Sequence, residues 1–145
     1  MNTKPIRPEV GVSTAVFRDG RVLLAQRAVG SLAGLWSLPG GRLEFGERLI
    51  DCALRELDEE VSVKAEIVDF AGIVEVMPRK TGAQFHFTVI AFAARWVSGE
   101  PQTGPEASDV RWADPFTLDD LPVTDDLHRI VKLAAALVLP QSVTA

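Results

Sequence analysis

The chain has few of the groups that staple or anchor a protein. One cysteine, Cys52, among 145 residues excludes an internal disulfide and fits a reducing compartment. No apolar run approaches the roughly 18 residues of a membrane span; the longest, Leu133 to Leu139, is half a helix. Residues 1–8 lack the apolar core of a secretory signal. The expectation is a cytoplasmic protein with no membrane partner. A basic surplus is also missing: 15 Lys and Arg against 20 Asp and Glu give a net charge of −5 and a pI near 5.0. That argues against a nucleic-acid polymer as partner, while a small anion neutralised locally by a metal and a few arginines stays compatible. Repeats, low-complexity tracts and linkers are absent, so residues 1–145 read as one domain, frayed at about 1–8 and 140–145.

What is present alternates between strand and helix patterns. Val10 to Phe17 and Val22 to Ala25 flank Arg18-Asp19-Gly20-Arg21 and read as a hairpin. A loop over 28–35 leads to a short strand at Trp36-Ser37-Leu38, which Pro39-Gly40-Gly41 breaks with glycines free to take positive φ. The spacing predicts a helix from about Glu47 to Val61, with Leu49, Ile50, Ala53, Leu54, Leu57 and Val61 on the docking face. Two β-rich runs, Val63 to Met77 and Ala83 to Val97, joined through Pro78 to Gly82, read as strands largely covered on both faces. A short strand at Val110-Arg111-Trp112 precedes a second helix, about Asp125 to Leu139, whose inner face holds Leu127, Ile130, Val131, Ala134, Leu137 and Val138. The fold class is α/β (α+β), a mixed sheet between helices.

The first helix ends with Glu56, Asp58, Glu59 and Glu60 in a five-residue window. Negative charge at a helix C-terminus opposes the macrodipole, and Glu56 and Glu60, one turn apart, repel by about 0.2–0.5 kcal/mol. Breaking two local rules at once marks a functional site, and a divalent cation supplies the missing positive charge. Carboxylates at i, i+3 and i+4 converge on magnesium, a hard ion that takes oxygen ligands and leaves positions for substrate phosphates. Without further signals, four acids on a helix are an ordinary solvated face.

Further signals exist. Gly41, Glu47, Arg55, Glu56, Leu57, Glu59, Glu60 and Val63 fall at the spacing of the Nudix box, and the chain resembles that hydrolase superfamily. The hairpin, the Trp-Ser-Leu-Pro-Gly-Gly lead-in and the Gly-Glu-Pro…Val-Arg-Trp segment are also similar to it. Ser62 stands where the family has a glycine ending the helix in the left-handed region, at a cost of about 1 kcal/mol or less. The resemblance implies a Nudix-type α/β/α sandwich and Mg2+ as cofactor, with Mn2+ as substitute. It implies Glu56 and Glu60 as metal ligands, Glu59 as ligand or base, and the Gly40 carbonyl as a further ligand. Arg55 would hold the carboxylates through a pair with Glu47, while Asp58 is variable and exposed. Glu106, six residues before Trp112, matches a loop glutamate of mutator-type triphosphatases and is a base or extra ligand.

Arg27 and Arg42 are candidates for phosphate contacts and Trp36 for stacking on a base. Phe85, Phe87 and Trp96 default to core packing, His86 to a sheet-face histidine, His128 to the surface and Cys52 to the core. The implied reaction is hydrolysis of a diphosphate linkage in a nucleoside diphosphate derivative, with small bacterial ADP-ribose pyrophosphatase-like members most similar: ADP-ribose to AMP and ribose 5-phosphate. Alternatives are a mutator-type nucleoside triphosphate pyrophosphohydrolase and a non-catalytic nucleotide-sensing module. Intact carboxylates and the lack of an appended DNA-binding segment argue against the last. The partner is a small nucleotide, and the long strands would allow a homodimer.

Overall fold

The computed structural model describes residues 6–78 and 85–140. In chain order the strands are β1 (Glu9–Arg18), β2 (Arg21–Arg27), β3 (Trp36–Ser37), β4 (Gly40–Arg42), β5 (Lys64–Val76), β6 (Phe87–Ser98) and β7 (Ala107–Ala113). Helix α1 (Leu49–Val61) lies between β4 and β5, and α2 (Leu127–Val138) follows β7. Most of the 78–82 connection, the start of the 83–97 run and the expected frayed ends at 1–5 and 141–145 lie outside the described residues.

The β1–β2 hairpin turns at Asp19-Gly20, with φ of 50° and 77°, the double positive-φ turn whose twist matches the flanking strands. The two strands pair at the turn, Phe17↔Val22 and Arg18↔Arg21, and then take separate partners. β1 runs parallel to β6 from Glu9↔Phe87 to Phe17↔Arg95 and antiparallel to β4. β5 adds antiparallel to β6, while β2 pairs antiparallel with β3 and β7. The sheet is therefore mixed, and alternation along β1 sorts its two faces. Val12 and Val16 pack in the clusters built by Cys52, Ala53, Leu57 and Val61 of α1. Ala15 and Phe17 pack with Leu127, Ile130, Val131 and Ala134 of α2. Helices thus cover both faces, as the α/β/α expectation requires. No helix among the described residues is long and apolar enough to cross a membrane.

Several expectations shift. Helix α1 begins at Leu49, leaving Glu47 in the turn before it. Its docked arc is Cys52, Ala53, Leu57 and Val61, whereas Leu49, Ile50 and Leu54 are 36–47% exposed. Glu56 and Glu60 fall within that docked arc at helical spacing. Leu137 on α2 is exposed and Ala135 is buried instead. Finally, among the described residues β5 pairs with β6 alone, an edge strand with three register irregularities, and Phe70 and Ile73 stay 48% and 45% exposed. Bulges of this kind twist an edge away from further pairing.

Ser62 ends α1 at φ 61°, ψ 37°, the left-handed conformation expected there, with its N–H donating to the Asp58 carbonyl at 3.1 Å. A Cβ in this region is strained, but glycine also gains freedom in the unfolded chain. Ser62→Gly is expected to add about 0.5–1 kcal/mol of stability, read as a higher urea midpoint at unchanged slope.

Candidate metal and active site

The site is built where β4 passes beneath α1. The expected break at Gly40-Gly41 is a strand in which neither glycine takes positive φ. Glycine is needed there for proximity. A Cβ on Gly40 would lie 2.3 Å from the Val12 carbonyl oxygen, and one on Gly41 2.4 Å from the carboxyl carbon of Glu56. Removing two side chains lets α1 settle its acids against backbone. The Gly40 N–H donates to Glu60 Oε2 at 2.9 Å, which places this residue against one of the helix acids.

Arg55 organises the acids. Its guanidinium grips Glu47 with two hydrogen bonds, 2.6 and 2.9 Å, and donates to Glu56 at 2.8 Å and Glu59 at 3.1 Å. It also donates to the Arg42 carbonyl at 3.1 Å, tying α1 to β4. The Cys52 thiol donates to the same carbonyl at 3.4 Å, and burial pushes that thiol up to about 12. The guanidinium holds the Glu47 carboxyl down at about 2, and Glu47 in return raises the Arg55 pKa. The side chain of Glu56 is 12% exposed, and its pKa rises, chiefly through burial.

The carboxylate oxygens of Glu56, Glu60 and Glu106 all lie within 4.8 Å of one another. Burial, followed by the charges of Glu106 and Glu56, lifts Glu60 to about 7 against the counter-pull of the Gly40 N–H and Arg27. Three hard oxygen donors from α1 and the loop before β7, repelling one another, suit a hard divalent cation. Glu59 is not brought into this triad; its side chain is 61% exposed and turned back to Arg55. Asp58 is exposed as expected. Opposite Gln26/Arg27 the register skips Ser108, a bulge in β7 just after Glu106, and the Ala28 N–H donates to the Glu106 carbonyl at 3.0 Å.

The acids open into a cleft of about 1090 Å³ lined also by Arg27 and Arg42. Its floor passes from β4 over Gly11 to Phe87 and Val89 of β6 and Val74 of β5. A Cβ on Gly11 would touch the Phe87 and Val89 side chains at 3.5 Å, so the cleft floor there is bare backbone. The Arg42 guanidinium sits 5.6 Å from the Phe87 ring centre and 3.8 Å from Glu9. Trp36 does not line the cleft. Its pairing with Gln26 and its backbone bonds to Pro122 and Thr124 turn the ring into the α2-side core at 6% exposure, which removes it as a stacking surface. Phe85 and Phe87, assigned by default to core packing, are half-buried cleft residues. Period-2 alternation beside β1 was the available signal for them, but it does not say which face stays open. His86 is half-buried and His128 exposed.

With that geometry in hand, comparison gives the class. A family model described as NUDIX domain matches residues 7–134. The chain belongs to the NUDIX family and is a hydrolase of the kind that acts on pyrophosphate bonds of nucleotide derivatives. It is 28% identical over 128 residues to an ADP-ribose pyrophosphatase of Methanocaldococcus jannaschii, covering 88% of this chain and 73% of that one. It is 31% identical over 134 residues to an RNA pyrophosphohydrolase of Novosphingobium aromaticivorans, covering 81% and 83%. Among solved structures it resembles a MutT NUDIX hydrolase from Burkholderia pseudomallei, with 30% identity, a TM-score of 0.77 and coverage of 88% and 98%. The chain spans between 42% and 83% of the length of the curated relatives it matches.

Two outcomes follow from the geometry. In chelator-treated protein the raised pKa of Glu60 means the folded state binds its proton more tightly than the unfolded chain. That contribution is full below the ordinary 4.5 and is lost as pH rises through about 7. Glu47, with its lowered value of about 2, acts only below the ordinary 4.5. Metal-free protein should therefore melt lower at about pH 8 than at about pH 5.5, with the difference reduced in Glu60→Gln. Gly41→Ala should displace Glu56 and abolish Mn2+ binding in a calorimetric titration while the circular dichroism of the fold persists.

Proposed function

We propose that the protein is a Mg2+-dependent hydrolase of a diphosphate linkage in a nucleoside diphosphate derivative, with ADP-ribose as substrate and AMP and ribose 5-phosphate as products. The observation that carries this reading is the asymmetry of the cleft: a carboxylate triad at one end and an apolar floor at the other. Glu56, Glu60 and Glu106 would hold the cation. Bound there, it would neutralise phosphate oxygens and acidify a water. Arg27 takes a phosphate oxygen at the mouth of the acidic end, and Arg42 stands where the diphosphate meets the nucleoside. The nucleoside lies over Gly11 on Phe87 and Val89, which exclude water from one side of it. Glu106, exposed and within reach of both helix acids, accepts the proton of the attacking water. Arg55 carries no chemistry itself; it fixes Glu56 beside Gly41 and holds Glu59 at the exposed rim, outside the triad. Positioning and charge supply most of the rate in phosphoryl transfer, so rigidity of this kind is the protein's main contribution. The name of the M. jannaschii relative supports ADP-ribose.

A second reading takes support from the RNA pyrophosphohydrolase and MutT relatives: release of pyrophosphate from a triphosphate, free or at an RNA end. The two are separated by product chromatography with Mg2+ on ADP-ribose, nucleoside triphosphates and a triphosphorylated oligoribonucleotide. AMP from ADP-ribose is expected, with kcat lowered at least about a hundredfold in Glu60→Gln, the scale of losing one charge-stabilising group. Pyrophosphate from a triphosphate, with ADP-ribose untouched, replaces the substrate. Binding without turnover of any of them would overturn the enzymatic reading.

A further inference from the structure

The reach of Glu106 to the helix acids depends on the segment from Gly99 to Glu106, which wraps the C-terminal end of α1. Gly99 has φ +93°, and a Cβ there would lie 2.3 Å from the Ser62 carbonyl oxygen, so the segment starts in direct backbone contact with the residue that ends the helix. Gln102 N–H donates to the Val61 carbonyl at 2.9 Å, occupying an acceptor at the end of the helix. A Cβ on Gly104 would lie 3.8 Å from the carbonyl oxygen of Glu60, the residue whose side chain is one of the three acids. Gly104 and Ala107 then exchange two backbone hydrogen bonds, 3.0 and 3.2 Å, closing a tight turn around Glu106. The near end is moored independently: Trp96 Nε1–H donates to the Gly99 carbonyl at 2.7 Å, and the Arg18 guanidinium stacks 3.7 Å from the Trp96 ring while pairing with Glu100 at 2.9 Å. Within the segment itself, Glu106 is the residue that lines the cleft.

We infer that Gly99–Glu106 is a strap that registers the Glu106 carboxylate against Glu56 and Glu60, with Gly99 and Trp96 as positioning residues acting through it. The inference rests on the proposed part of Glu106 in the site. Backbone contacts to the last turn of α1 make the loop follow the helix that carries the other two acids, so the triad moves as one body. A displacement of about 1 Å at such a group is enough to cost about a hundredfold in rate.

A double-mutant cycle tests this, since residues acting through one another are non-additive. Mn2+ affinity is measured by calorimetry, and kcat on the nucleotide panel, for Gly99→Ala, Glu106→Gln and the pair. Gly99→Ala is expected to weaken Mn2+ binding about tenfold in the natural background and less than about twofold beside Glu106→Gln. Trp96→Phe, which keeps the ring under Arg18 and removes the N–H, should show the same pattern and decides the matter if Gly99→Ala does not fold. Equal losses in both backgrounds would show that the change acts on the helix end itself, and an unchanged affinity in Glu106→Gln would show that there is nothing for the strap to position; either overturns the inference. A wild-type protein that binds Mn2+ but turns over no nucleotide would sink the proposed function and leave the cycle on metal affinity standing.

Discussion

One guanidinium holds together a group of like charges that would otherwise separate. Arg55 is within 4.0 Å of Glu44, Glu47, Glu56 and Glu59. Its strongest grip is on Glu47, outside the helix, rather than on either helix acid. That arrangement leaves Glu56 with one oxygen engaged and the rest of its capacity facing the cleft. Glu60 is in no ion pair among the described residues, Arg27 acting on it only at longer range, and the Gly40 N–H is its hydrogen-bond partner there. Arg55 therefore neutralises the periphery and leaves the centre short of positive charge, which is the condition under which a divalent ion binds rather than merely visits.

The second constraint is the absence of side chains. Gly40 and Gly41 bring strand backbone against α1, and Gly11 keeps the adjoining floor bare. The acids sit in the docked arc of the helix at positions a core would normally fill with leucine, and they are tolerated because the strand below offers an N–H and empty space in place of packing. Burial of Glu56 and Glu60 follows from the same geometry, and with it their raised pKa values. Fold and chemistry are set by the same few glycines.

The acidic helix was legible in the sequence because helical periodicity and charge order are local properties, and the pair Glu47–Arg55 was legible because the box spacing encodes it. The two-faced sandwich followed from alternating strand and helix patterns. What escaped was everything decided by how elements meet. Hydrophobic residues at Leu49, Ile50 and Leu54 gave a wider apolar face than the sheet could cover, so the docked arc was misplaced by part of a turn. Gly40-Gly41 read as a break because glycine signals both freedom and proximity, and a sequence does not say which. Trp36 looked available from its place beside that turn, yet its pairing with β2 buries it. Phe87 looked like core because the open side of β6 depends on where α2 stops.

The parallel pairing of β1 with β6 also bears on how the protein comes to exist. These strands are distant in sequence, and the middle of the cleft floor, Gly11 beside Val89, crosses between them. Parallel, non-local pairing closes late and slowly. A chain emerging from its N-terminus has the acidic helix complete long before β6, the strap and Glu106 are available to it. During that interval the carboxylates are a helix end with surplus charge and no floor, unable to assemble a triad. A divalent cation held by the triad, as proposed, would bind only the finished state and add its binding free energy to the stability of the whole domain.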